Sequence, residues 1–335
     1  MQKVSVIIPC RNEIEYIDVF LDSLRNQDYP RGLMEFIIVD GMSDDGTRQY
    51  LESIACEDTL VLDNSKQQVS EGLNLGIKIS SGDIIVRMDV HCVFPMDYIS
   101  TLVEYLLKTP NAGNVGVPCE TRASDTGLIA ASLALVLSTP IGVGGSAFRV
   151  ASPEIPESVD TVPFGCWRRS IFDLIGVFDT DLVRNQDDEF NQRILKYGFE
   201  VHLLPGPKVI YFGRAELLSH IRMFYQYGLF KPLVNKKIGK ITTLRQLAPV
   251  ALVVFLLTNL LLTLALPAIS IMSGIVVLGA YLVLAPFFLS NYSGCKFSIY
   301  IPFVCCLILT HLAYGVGYLK GFVFGLSEKK VSLSR

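Results

Sequence analysis

Hydrophobic positions along this chain fall into two regimes. Up to about residue 245, short apolar runs alternate with polar stretches: Val4 to Ile8, Phe36 to Val39, Leu60 to Leu62 and Ile84 to Met88. Runs of that length and character predict strands buried on both faces of a sheet. Between them Ile14, Ile17, Leu21 and Leu24 keep to one helical face behind a capping candidate, Asn12. Ser43-Asp44-Asp45-Gly46-Thr47 predicts a turn and the start of a helix through Tyr50 and Leu51, and Ser70 to Ile79 predicts another helix. Strands alternating with helices define an α/β domain with a mainly parallel sheet. Ligands of such sheets bind beyond the carboxyl ends of the strands, where Asp40 and Asp89 stand.

The second regime carries no charged residue from Gln246 to Cys295. Pro249 to Leu266 and Ala268 to Leu289, divided by Pro267, are each long enough to cross a bilayer, and Phe297 to Leu319 is a third candidate. The pattern predicts a basic juxtamembrane linker over 236–248, two to three transmembrane helices over 249–324 and a tail over 325–335. Lys231, Lys236, Lys237, Lys240 and Arg245 before the first span assign that side to the cytoplasm. Three spans would carry Lys329, Lys330 and Arg335 to the opposite side, against the same tendency, so the number of spans stays open. Residues 216–234 mix Leu217, Leu218, Ile221, Phe224 and Phe230 with His220, Arg222 and Lys231. That mixture predicts an amphipathic helix at the membrane surface, with a helix packed on the soluble core as the alternative. The apolar segment 127–137 is short for a span and reads as a core or interfacial helix. Gly142-Val143-Gly144-Gly145 is a weak phosphate-cradle signal, because no strand precedes it and no Gly-Lys-Ser/Thr follows.

Composition narrows the classes. With 29 Lys and Arg against 32 Asp and Glu and a pI near 5.9, the chain has no basic surplus for nucleic acid. Eight cysteines without a Cys-x-x-Cys spacing predict buried free thiols in a reducing compartment. The apolar run at the N-terminus is too short for a signal peptide and reads as the first strand, which assigns the catalytic part to the cytoplasm.

Two clusters carry chemistry. In an extended segment Asp89 and His91 point the same way, and a carboxylate with an imidazole can hold Mg²⁺ or Mn²⁺; an ordinary strand-end aspartate is the plain alternative. Asn185-Gln186-Asp187-Asp188-Glu189 gathers three acids before Arg193. Either they complement a helix dipole, or one of them is a general base for an attacking hydroxyl.

Four segments in order carry a family resemblance: Ile7-Ile8-Pro9-Cys10-Arg11-Asn12-Glu13, Val39-Asp40-Gly41-Met42-Ser43-Asp44-Asp45-Gly46-Thr47, Gly82 to His91, and Asn185-Gln186-Asp187. Over roughly residues 3–235 the chain resembles the family-2 glycosyltransferases. These enzymes have a GT-A fold, a Rossmann-like nucleotide-sugar-binding domain, and invert the anomeric carbon. The resemblance implies that Pro9, Arg11 and Glu13 lie on the donor side, with Pro9 and Glu13 bordering the nucleoside, and that Asp40 bonds the base. It implies that Asp89 and His91 form the metal-binding Asp-x-Asp equivalent, with Mg²⁺ or Mn²⁺, and that Asp187 deprotonates the acceptor. Three departures stand out. Gly41 replaces an acid, Leu73 replaces a common arginine so that Lys66 becomes a candidate for the diphosphate, and His91 replaces the second aspartate.

The Asp-x-His form resembles the branch active in succinoglycan biosynthesis. That implies transfer of glucose from UDP-glucose to a polyprenyl-diphosphate-linked saccharide, by a multi-pass inner-membrane enzyme facing the cytoplasm. Trp167, Arg168, Arg169 and Asp188 are then assigned to the acceptor side, Trp167 as a stacking platform or a core residue. A polyprenyl-phosphate glycosyltransferase using Arg168 and Arg169 is the rival enzyme reading, and a catalytically silent membrane scaffold or nucleotide sensor is the rival of another class. A processive synthase fits poorly, because Gln226-Tyr227-Gly228-Leu229 lacks the Arg-Trp pair of that group.

Overall fold

The structure, a computed structural model, describes residues 1–55, 58–289 and 297–325. Cys295, Lys296 and the tail with Lys329, Lys330 and Arg335 lie outside the described residues. The chain divides into two compact units, one formed by Met1–Glu120 with Ala151–Tyr211, the other by Thr121–Val150 with Phe212–Arg335. This division differs from the expected boundary at 235: segments 121–150 and 212–235 group with the C-terminal helices.

In the first unit, β1 (Val4–Cys10), α1 (Ile17–Arg25), β2 (Met34–Asp40), α2 (Thr47–Ile54), β3 (Thr59–Asp63), α3 (Val69–Ile79) and β4 (Ile84–Arg87) alternate as the pattern predicts. They are followed by β5 (Cys92–Val93), α4 (Tyr98–Lys108), β6 (Ala112–Gly116) and β7 (Cys119–Arg122). After residue 150 come β8 (Glu157–Ser158), β9 (Cys166–Arg168), α8 (Arg169–Ile175), α9 (Gln186–Lys196), β10 (Glu200–Leu203) and β11 (Val209–Phe212). The main sheet has the order β3-β2-β1-β4-β9-β6-β10-β8, and a small second sheet has the order β5-β11-β7. Strands β1 to β4 are parallel; β9 runs antiparallel to both β4 and β6, and β8 antiparallel to β10. The order reverses between β1 and β4. Such a switch point opens a crevice at the carboxyl ends of the strands, and the segments following β1 and β4 both begin there.

Local choices fix this frame. The β-branched side chains of β1 are buried, and Pro9 falls beyond the last β1–β4 pair, Ile7 with Arg87, where a missing N–H is tolerated. Helix α3 approaches β1 closely, since a Cβ at Gly76 would lie 2.5 Å from Ile7 Cγ2. Asn12 departs from expectation. It adopts a left-handed φ of 53°, takes the Ser43 hydroxyl on its N–H at 2.8 Å and exchanges side-chain bonds with Asp44. It therefore latches the β1 loop to the β2 loop, and α1 starts only at Ile17. An amide side chain that tolerates the left-handed region serves such a latch.

In the second unit, α5 (Leu128–Ser138), α6 (Pro140–Val143) and α7 (Ala147–Val150) group with α10 (Leu217–Ile238), α11 (Leu247–Ala265), α12 (Pro267–Leu289) and α13 (Tyr300–Phe324). Leu133 and Val136 of α5 share one buried cluster with Leu289, Phe303 and Leu307. Helix α10 is longer than expected and lies along α13: a Cβ at Gly228 would meet the Tyr314 carbonyl oxygen at 2.0 Å, and one at Gly317 the Tyr225 carbonyl oxygen at 2.2 Å. Small residues at such positions let two helix backbones touch. Gly142 has a structural cause of the same kind, the Val136 carbonyl oxygen 1.9 Å from its would-be Cβ. Three helices, Leu244–Ala265, Pro267–Leu289 and Tyr300–Phe324, are long and apolar enough to cross a membrane. Leu261, Leu264, Val276 and Val283 face outward, as lipid-facing side chains do. Among the described residues the six cysteines are free thiols, and all but Cys305 are buried.

Candidate functional site

The β4 strand ends on an arginine inside an otherwise apolar run, and that residue organises the site. The Arg87 side chain is 6% exposed. Its Nε and Nη2 donate to the two carboxylate oxygens of Asp89 at 2.8 and 2.9 Å, and its Nη1 donates to Asp187 Oδ1 at 2.5 Å. Burial opposes the guanidinium charge, but the Asp187 and Asp89 carboxylates hold its pKa above the ordinary value. The Phe164 ring lies 6.0 Å from the guanidinium carbon, within cation–π range. In the sequence Arg87 shows only as a lone charge at the end of a buried strand.

Asp187 opens α9. Asn185 caps this helix in the left-handed region, and Asp187, Asp188 and Glu189 fill the first turn, where the dipole favours negative charge. The three acids then part ways. Glu189 is buried and closed on Arg193 through paired bonds at 2.7 and 2.8 Å, which assigns it to the helix itself. Asp188 is half-buried beside Asp187. The Asp187 side chain keeps 30% exposure. Burial pushes its pKa up, with the Asp89 and Asp188 carboxylates adding to the rise and Arg87 opposing it. A carboxylate held this way, within reach of solvent, is suited to accept a proton from a hydroxyl.

Val90 and His91 form a turn between β4 and β5 rather than continuing an extended segment from Asp89, so the alternation expected to aim Asp89 and His91 together does not operate. Asp89 is instead aimed by Arg87. His91 is aimed by Glu13, whose Oε1 lies 3.2 Å from Nδ1, and its ring meets the edge of Tyr211 at 5.2 Å between centroids. Among the described residues no three His, Cys, Asp or Glu side chains converge to hold a metal ion. The donor set fits a divalent cation in a limited way: Asp89 keeps free lone pairs beside its Arg87 bonds, and an imidazole bonded through Nδ1 leaves Nε2 for a metal. Such a pair is completed by ligand oxygens and water, as Mg²⁺ and Mn²⁺ accept beside phosphates.

Asp40 is fully buried, and its carboxylate accepts the Ser43 N–H at 3.1 Å and the Ser43 hydroxyl at 2.5 Å. These bonds shape the loop after β2. Glu13 is turned to His91. Pro9 is half-buried at the end of β1. Arg11 crosses Gly41, where a Cβ would lie 3.2 Å from its Cβ and Cδ, and its buried Nε has no hydrogen-bond partner. The missing acid at position 41 thus has a steric counterpart in Arg11. Leu73 is in the core and Lys66 is exposed.

Three acceptor-side expectations are corrected. Trp167 is 2% exposed and its ring packs on Phe172, Phe178 and Phe190, so it is a core residue and no stacking platform. Arg168 closes the C-terminal end of α4 through the carbonyls of Leu106, Thr109 and Ala112. Arg169 does the same for α3 through Gly82 and Ile77 carbonyls and the Ser80 hydroxyl. Arginines that satisfy helix-end carbonyls are committed to the fold.

The mainly parallel sheet with its switch point between β1 and β4 is the frame of a GT-A glycosyltransferase. Residues 5–139 match the family model described as Glycosyl transferase family 2, and the chain carries a family-2 glycosyltransferase domain. Succinoglycan biosynthesis protein ExoA of Rhizobium meliloti (strain 1021) is 29% identical over 250 residues, covering 73% of this chain and 74% of the relative. Dolichyl N-acetyl-alpha-D-glucosaminyl phosphate 3-beta-D-2,3-diacetamido-2,3-dideoxy-beta-D-glucuronosyltransferase of Methanococcus voltae is 28% identical over 337 residues, covering 98% of this chain and all of the relative. Among solved structures, mannosyltransferase PcManGT from Pyrobaculum calidifontis, in complex with GDP-Man and Mn²⁺, aligns with a TM-score of 0.58 at 21% identity over 93% of this chain and 87% of that one. At that identity the likeness concerns the fold.

Proposed function

We propose that this protein is a membrane-anchored inverting glycosyltransferase that moves a sugar from a nucleotide diphosphate donor to a lipid-linked saccharide in cell-surface glycan or exopolysaccharide biosynthesis. The observation that carries the reading is the base carboxylate Asp187 held by the same guanidinium as Asp89. Donor and acceptor chemistry must meet at one place, and one guanidinium bonds both carboxylates.

In this reading Asp187 takes the proton of an acceptor hydroxyl as that oxygen attacks C1 of the donor sugar. The C1–O bond to the diphosphate breaks on the opposite face, and its electron pair leaves with the phosphate oxygen. An α-linked donor then gives a β-linked product. Asp89 and His91 are the residues that would hold Mg²⁺ or Mn²⁺, which would supply charge neutralisation to the departing diphosphate. Arg11, with its unpartnered Nε, is assigned to the donor anion. UDP-glucose is the donor assigned by resemblance, and a polyprenyl-diphosphate saccharide the acceptor. The three apolar helices support a lipid-linked acceptor and a plasma-membrane location, and the lysines before the first of them support a cytoplasmic catalytic unit. The rival polyprenyl-phosphate reading rested on Arg168 and Arg169, whose guanidiniums are already engaged.

The test is to incubate membranes containing the protein with a panel of labelled nucleotide sugars, with and without Mn²⁺ or Mg²⁺, and to extract the lipid. Metal-dependent incorporation of one sugar into a lipid-linked saccharide supports the reading. Absence of incorporation from every donor supports the scaffold or sensor reading in its place.

A further inference from the structure

Arg87 and its two partners carry an inference beyond that assignment, though one that rests on it. Asp187 and Asp89 come from places 98 positions apart in the chain, yet one rigid guanidinium bonds both. The arrangement uses the fork: two donors on one edge close on Asp89, and a third on the other edge reaches Asp187. A lysine ammonium at this place is a point charge without that geometry. Arg87 is the cation that both carboxylates share.

We propose that Arg87 is a positioning residue that couples cation binding at Asp89 to the placement of the base Asp187. Asp89 can accept a cation on its remaining lone pairs while keeping Arg87. A divalent charge there repels the guanidinium and shifts its bonding toward Asp187, which steadies the base as the donor is loaded. Conversely, when Asp187 no longer holds the guanidinium, Arg87 belongs wholly to Asp89 and competes with the cation. Coupling between sites is reciprocal, so it is measurable as cation affinity without turnover.

The experiment titrates Mn²⁺ into the full-length protein in detergent with UDP present, reading free Mn²⁺ by electron paramagnetic resonance. Parent and Arg87→Met are compared, each with and without Asp187→Asn. The coupling predicts that Asp187→Asn weakens Mn²⁺ binding about tenfold in the parent, the scale of a lost supporting contact, and leaves it nearly unchanged in the Arg87→Met background. An equal loss in both backgrounds overturns the coupling and leaves only the direct charge of Asp187. Arg87→Lys covers the case in which Arg87→Met does not fold. It keeps the charge without the fork, and the same loss of coupling is expected. In turnover, Arg87→Lys lowers kcat about 100-fold, as a misplaced base does, with a much smaller change in donor KM, and adds nothing to Asp187→Asn. A parent that transfers sugar but shows no such dependence overturns the coupling alone; a parent that neither binds Mn²⁺ with UDP nor transfers sugar overturns the enzymatic reading with it.

Discussion

Glu13 Oε1 lies 3.2 Å from His91 Nδ1, joining the loop after β1 to the turn after β4. A carboxylate on one imidazole nitrogen sets the tautomer and ring orientation and leaves the other nitrogen for a ligand. This gives Glu13 a purpose other than bordering a nucleoside. Glu13→Gln is expected to weaken Mn²⁺ binding in the presence of UDP by about tenfold. Electron paramagnetic resonance measures it directly, and unchanged affinity would mean that His91 does not depend on Glu13 to meet the cation.

The raised pKa of Asp187 predicts the form of the pH profile. A general base works deprotonated, so activity is lost as pH falls through its pKa. Burial moves that point up, and the acid limb of kcat/KM is expected above the ordinary aspartate value of about 4. Weakening the Arg87 contact removes the opposing influence and moves the limb further up, which Arg87→Lys should show. A limb at or below the ordinary value would exclude Asp187 as the group responsible.

Arg168 separates a structural arginine from an acceptor contact. Its guanidinium satisfies the end of α4, so Arg168→Met is expected to cost about 1–3 kcal/mol of stability for carbonyls left unpaired, with acceptor KM little changed. Thermal melting and steady-state kinetics on one preparation decide it. A raised acceptor KM at unchanged stability would restore Arg168 to the acceptor side.

Helix α10 depends on Gly228 for its approach to α13. Gly228→Val places branched carbons against the Tyr314 backbone and is expected to destabilise the helical unit by about 1–3 kcal/mol, read as earlier thermal unfolding in detergent. Unchanged unfolding would mean that the two helices do not meet there.

Much of the first unit is legible in the sequence because short apolar runs and helical spacing are local signals. β1, β2, β3 and β4 fall where the runs stand, and α2 and α3 follow the turn residues ahead of them. The site is legible only where motif residues announce it, at Asp89, His91 and Asp187. What connects those residues is long-range, and periodicity does not report it: Arg87 reaches Asp187 across 100 positions, and Glu13 reaches His91 across 78. Trp167, Arg168 and Arg169 show the same limit from the other side. An exposed-looking cluster of one indole and two guanidiniums is taken up by an aromatic core and two helix ends, partners that the local segment does not contain. The grouping of α5 with α12 and α13 likewise depends on packing between distant apolar faces.

In the proposed mechanism Asp187 is the base of a sugar transfer. The most direct test of this role is transfer of labelled sugar from the nucleotide donor to extracted lipid-linked acceptor by the purified full-length protein and by Asp187→Asn, at matched protein and Mn²⁺. Asparagine keeps the shape and removes the proton acceptor, so kcat is expected to fall at least about 100-fold, as for a lost general base. Transfer by Asp187→Asn at the parent rate would contradict it.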